Sequence, residues 1–201
     1  MPLIKTIIPP SAFELIRDRI GEILIDEISN QAALTLDSDL TVNIFIERSN
    51  QLDITDLPAI NISISDGQFS NKNYSGSVTG AYAYDIDIYT AKKTNDQISG
   101  DVRASFQLQK IIRICRSILD NPIYKTLGFV SPKINRVYCS DFNIAIPGSG
   151  SGKLDTQNSM MSRLKFFVES NEQTALIIPT LITGYETQVK INNTEKGYYF
   201  Y

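Results

Sequence analysis

The chain reads as an α+β fold: a mostly antiparallel sheet of about four to six strands, with two amphipathic helices packed on one face. A long hairpin loop and a C-terminal arm complete it. Three observations predict this. Two stretches repeat apolar residues at helical spacing, several short runs alternate with period two, and clusters of turn-forming residues separate them. Of 201 residues, 42% are apolar and 20% charged, which is enough for a sizeable core and too apolar for a disordered chain. The organisation expected is a folded domain over residues 1–173 and an arm over 174–201.

The first helix is expected over about residues 11–30. Ser11 and Glu14 form a capping box: the hydroxyl accepts from the backbone N–H of residue 14 while the carboxylate reaches back to that of residue 11. Phe13, Ile16, Ile20, Leu24 and Ile28 follow at helical spacing, with Arg17, Asp18, Glu22 and Asp26 between them. Gly21 inside the helix costs about 1 kcal/mol relative to Ala, which points to close packing there.

Strands come next. Thr41 to Glu47 alternates, and Asp56 to Ser65 does so strictly, with Ile60, Ile62 and Ile64 on one face and Asn61, Ser63 and Ser65 on the other. Pro58 belongs at the start of that strand, where no ladder donor is lost. Residues 66–77 are polar and turn-forming and read as a long hairpin loop. Val78 to Tyr89 returns with Tyr82, Tyr84, Ile86 and Ile88 on one face.

A second helix is capped by Ser99 or Asp101 and runs to Asp120, where Asn121-Pro122 stops it. Ala104, Leu108, Ile111, Ile112, Cys115, Ile118 and Leu119 form its apolar stripe. Arg103, Lys110, Arg113 and Arg116 spread over the other side, as a solvated face or as a surface for an acidic partner. Two strands follow, Ile134–Ile146 and Met160–Glu169, joined through a flexible Gly/Ser linker at 147–153. The tail ends Tyr198-Tyr199-Phe200-Tyr201, four aromatics that are costly to leave in water and are expected to dock on this subunit or a neighbour.

Composition excludes several functions. With no histidine, neither a Ser-His-Asp or Cys-His arrangement nor an imidazole zinc site can form. Cys115 and Cys139 are too few for a disulfide framework; buried thiols or one disulfide fit them. A net charge of −3 does not suit a general nucleic-acid binder. Apolar runs fall short of the ~18 residues of a membrane span, and the N-terminus lacks signal-peptide features, so a soluble intracellular protein is expected. Gly148 to Lys153 is one residue short of a phosphate loop and has Leu154 where Ser or Thr belongs. Asp85 and Asp87 share a strand face. They can hold a metal or act as an acid/base pair, or they can pair across strands with Arg163 and Lys165, which have the same spacing. No cofactor, metal or catalytic residue is assigned.

The order of elements and the run Asp56-Leu57-Pro58-Ala59-Ile60-Asn61-Ile62, then a polar loop, Tyr84-Asp85-Ile86-Asp87-Ile88-Tyr89 and a long helix, resembles the tail terminator (tail completion, head–tail joining) proteins of tailed bacteriophages. The resemblance spans about residues 11–170; the Gly/Ser linker and the arm depart from it. It implies a non-enzymatic virion protein, made in the host bacterial cytoplasm and placed at the head–tail junction. There a hexameric ring of copies would cap the tail tube protein and join it to a head-side connector or stopper protein. DNA would pass through the lumen without specific binding, and no membrane would be involved. Contacts are expected from the hairpin (Phe69, Asn71, Lys72, Tyr74), the second helix (Arg103, Lys110, Arg113, Arg116) and the tail (Tyr198, Tyr199, Phe200, Tyr201). The alternatives are another tail or neck component (a tube subunit or connector adaptor), a surface-binding module suggested by the ten tyrosines, and an enzyme built on Asp85 and Asp87.

Overall fold

The computed structural model describes residues 7–49, 52–70, 77–95, 97–145 and 159–173. Elements follow in the order α1 (Ala12–Thr35), β1 (Asn43–Ile46), β2 (Ala59–Ser70), β3 (Ser77–Ala91), α2 (Gly100–Leu119), β4 (Lys133–Ala145) and β5 (Ser159–Gln173). Together with short turns of 3₁₀ helix, they belong to one unit, Pro10–Thr174; of the other unit only residues 7–9 are described. The arm over 174–201 and the linker at 147–153 lie outside the described residues.

Among the described residues the sheet has five strands, in the order β1-β2-β3-β5-β4. Only β1 and β2 run parallel; the other three pairs are antiparallel. The register aligns one apolar face: Ile44 with Ile60, Ile62 with Ile86, Ile64 with Tyr84, Tyr84 with Phe166, and Ile86 with Leu164. Both helices cover that face. Ile16, Ile20 and Leu24 of α1 and Leu108, Ile111 and Cys115 of α2 are fully buried in the same core as Tyr82, Tyr84, Ile86 and Ile88. The α+β arrangement with two helices on one face is therefore the observed one.

Helix α1 begins as its capping box requires, with the Ser11 N–H donating to Glu14 Oε2 at 2.8 Å. It runs five residues past the expected end, because Gln31 to Leu34 contains good helix formers and no breaker. It ends at Leu36, which takes the left-handed conformation at φ 52°. Gly21 is a close approach: a Cβ there would stand 3.0 Å from Ile46 Cδ1 and 3.7 Å from Ile62 Cδ1. The Tyr84 hydroxyl ties α1 to the sheet by donating to the Phe13 carbonyl at 2.9 Å. On the other side, Thr90 Oγ1 donates to the Ala104 carbonyl at 2.9 Å and holds the start of α2.

The hairpin differs from the sequence reading. Asp66–Ser70, expected in the loop, are strand residues paired with 79–83 after a bulge between Ile64 and Asp66. Backbone pairing to β3 supplies what their polar side chains do not. Pro58 stands just before β2, as expected. Past the bulge Tyr82 lies back along its own strand, over Gly80, with its ring 5.9 Å from Phe69 and 6.0 Å from Phe13. A Cβ on Gly80 would come within 1.9 Å of the Tyr82 hydroxyl.

Two substitutions test this packing. Leu36→Gly relieves a left-handed non-glycine residue that is 92% exposed, and is expected to stabilise the fold by about 0.5–1 kcal/mol in denaturant titration. Gly80→Ala must expel the Tyr82 ring from its place, and is expected to destabilise by about 1–3 kcal/mol in the same measurement.

Candidate interaction surface

The two carboxylates of β3 meet a single cation. Register sets Asp87 opposite Arg163 and Asp85 opposite Lys165. Arg163 grips Asp87 with a fork, Nε to Oδ1 at 2.7 Å and Nη2 to Oδ2 at 2.8 Å, and reaches Asp85 with Nη1 at 2.9 Å. A planar guanidinium can make this double contact; an ammonium cannot. The hydrogen bond to Asp87 is the main reason the guanidinium is held still more firmly protonated than usual. Both aspartates are buried, although they lie on the sheet face opposite the helices. Of the two readings open in the sequence, the structure shows the cross-strand ion pair; among the described residues Arg163 makes it to both carboxylates and Lys165 does not take part. Among the described residues no group of three or more potential metal-binding side chains comes together.

Neither thiol is bonded to another. Cys115 is fully buried in the core and burial pushes its pKa up to about 12. Cys139 is half-buried and is raised to about 12, first by burial and then by the Asp120 carboxylate. Thiolate chemistry at neutral pH is disfavoured at both.

The proposed contact residues fall at different places. Phe69 is 61% exposed on the hairpin, edge-on to Tyr82. Asn71, Lys72, Tyr74 and Tyr198 to Tyr201 lie outside the described residues. On α2, Arg103 donates to the Lys93 carbonyl at 2.8 Å, near the end of β3 remote from Phe69. Phe69 pairs with Gly80, whereas Thr90 contacts α2; ten residues of strand separate these points by roughly 30 Å. The hairpin and the start of α2 are thus distinct surfaces.

Further along α2 the cations divide. Lys110 bridges Asp37 at 2.7 Å, a hydrogen bond that holds the Asp37 carboxyl below its ordinary range. Arg116 pairs with exposed Asp120 at 3.3 Å. Arg113 makes no ion pair or hydrogen bond among the described residues. Arg113 and Arg116 both border a groove of about 480 Å³ between α2 and β4, floored by Ile112 and walled by Phe142. Sequence reasoning had not singled out the apolar groups of this region: Phe106 is 61% exposed, Phe142 48% and Ile144 44%. Phe106 falls off the 104–108–111–115 stripe, and that offset was the available signal.

No protein-family model matches the chain, and no curated protein matches it. Among solved structures, a chain from the virion of a native gene transfer agent particle aligns with 76% of this chain and 97% of its own length. Its sequence identity is 10% and its TM-score 0.41. No helix among the described residues is long and apolar enough to cross a membrane.

The ion pair gives a direct test. Replacing Arg163 by Met leaves two buried carboxylates without their cation, and is expected to destabilise by about 2–4 kcal/mol in denaturant titration. Arg163→Lys is expected to recover part of that loss, since it keeps the charge and loses the fork.

Proposed function

We propose that this chain is a structural protein of a phage-like virion, of the tail-terminator kind. It acts by packing against copies of itself and adjoining proteins, with no bond made or broken. The observation that carries this reading is the placement of the Asp56–Ile62 run. It leads into β2 and a long β2–β3 hairpin, with α1 before it, α2 after it and both helices on one face of the sheet. This is the arrangement of elements on which the resemblance to the terminators rests. Arg163 supports the same reading, because it engages both carboxylates on which an acid/base enzyme would have depended.

In this reading a ring of copies, six by the resemblance, caps a finished tail tube and joins it to the head-side connector or stopper protein, at the head–tail junction. A closed ring needs one heterologous contact repeated until it meets itself. DNA crosses the lumen without specific contacts, in keeping with a net charge of −3.

Negative-stain images of the purified full chain, alone and mixed with tail tubes, test the proposal. Closed rings of one size, seated on tube ends in the mixture, are expected. Filaments of indefinite length would instead identify a tube subunit. Single particles that leave tube ends bare would overturn the assembly reading altogether.

A further inference from the structure

The net charge of −3 conceals a division along the chain. Residues 10–70, which supply α1, β1 and β2, carry eleven Asp/Glu and three Lys/Arg. Residues 92–145, which supply α2 and β4, carry nine Lys/Arg and four Asp/Glu. Strand order β1-β2-β3-β5-β4 puts β1 and β4 at opposite edges of the sheet, while the two segments meet where Lys92 and Lys110 bridge Asp39 and Asp37. With those pairs set aside, the segment of the β1 edge keeps nine Asp/Glu against three Lys/Arg and that of the β4 edge seven Lys/Arg against four Asp/Glu, so the first is acidic and the second basic.

Among the described residues each end also has a strand with one neighbour and an apolar recess. At the acidic end, β1 is the last strand, and a groove of about 260 Å³ lies between it and α1, lined by Ile25, Ile28, Ala32, Val42 and Ile44. At the basic end, β4 is the last strand, the 480 Å³ groove opens beside Arg113 and Arg116, and Phe106, Phe142 and Ile144 stand in solvent. Lys92 and Lys110 are engaged within the subunit by Asp39 and Asp37. Arg113 and Arg116 remain on the outer surface, as do Asp18 and Glu22 of α1, whose partners Arg17 and Arg19 form exposed pairs of little strength.

From this polarity we infer the contact itself: the basic α2/β4 end of one copy packs against the acidic α1/β1 end of the next. The inference rests on the self-assembly proposed above and names its interface. Like ends repel, so a two-fold pairing of identical ends is disfavoured, and unlike ends attract. The exposed aromatics of the basic end supply apolar bulk and the recess beside β1 supplies a place for it. Such a contact is heterologous, so every copy uses both ends, and repetition closes a ring or extends a filament. Surface charges of this kind are screened over about 10 Å at 0.1 M salt, so assembly weakens as salt rises.

The test uses the full chain in sedimentation velocity at low and high salt, with two charge-reversed variants. Arg113→Glu with Arg116→Glu reverses the outer charges of α2 at the proposed contact; Asp18→Lys with Glu22→Lys reverses those of α1. These side chains lie on the outer surface, and circular dichroism verifies that the variants fold. Each variant alone is expected to self-associate more than about tenfold more weakly than the parent. An equimolar mixture of the two is expected to assemble again, since the reversed α2 of one variant then faces the reversed α1 of the other. Phe142→Asp in the otherwise unchanged chain is expected to weaken assembly by a similar factor. If the parent assembles and the variants assemble equally well, or the mixture fails to recover, the inferred contact is wrong while ring formation stands. If the parent stays monomeric at low salt, the assembly reading itself fails and takes this contact with it.

Discussion

Burial of one face of the β3–β5 pair is the constraint on which the rest of this structure depends. Tyr82, Tyr84, Ile86 and Ile88 stand beside Leu164, Phe166 and Val168, all but removed from water. Neither helix can bury its stripe without that surface, and neither strand can bury its stripe without the helices. Gly21 lets α1 come close to β1 and β2, and the Tyr84 hydroxyl fixes where α1 begins. Both helices being spent on one face, the sheet's other face carries the Arg163 ion pairs and the stack of Tyr138 on Phe167.

That second face explains the aspartates. Two carboxylates on adjacent same-face positions of a central strand repel each other unless a cation lies between them. Arg163 is the residue whose geometry reaches both. Asn61 plays a related part on β2. Its amide accepts from the Arg48 N–H at 3.0 Å and donates to the Arg48 carbonyl at 3.2 Å, anchoring the chain as it leaves β1. Arg48 in turn reaches Asp56 at 2.8 Å. β3 thus carries apolar packing on one side and the Arg163 ion pairs on the other.

Much of this was legible in the sequence, for reasons that also mark the limit. Period two in Ile60-Ile62-Ile64 and Tyr82-Tyr84-Ile86-Ile88 identified the inward face because one-sided burial imposes it. Helical spacing identified both helices for the same reason. The end of α1 was missed because Gln31 to Leu34 contains no breaker, so the stop depends on the backbone at Leu36. Asp66–Ser70 looked like loop because composition reports side chains, whereas their pairing is made by backbone. The insertion of β5 between β3 and β4 was not legible, since strand order is decided by contacts distant in sequence. The candidate surface follows that pattern. Arg113 and Arg116 were visible as an off-stripe basic set. Their proximity to Phe142 needed the sheet order, as did the placement of β1 and β4 at opposite edges.

Amide hydrogen exchange of the full chain, dilute and assembled, tests most directly the claim that the covered strands form the stable centre while the end strands meet neighbours. Backbone amides of Tyr84–Ile88 and Leu164–Val168 should exchange slowest in both states, because their opening requires the core to come apart. Those of β1 and β4 should exchange quickly when dilute and become protected on assembly. Slowest exchange at the end strands in dilute solution, or assembly that leaves β1 and β4 unprotected, would contradict the account.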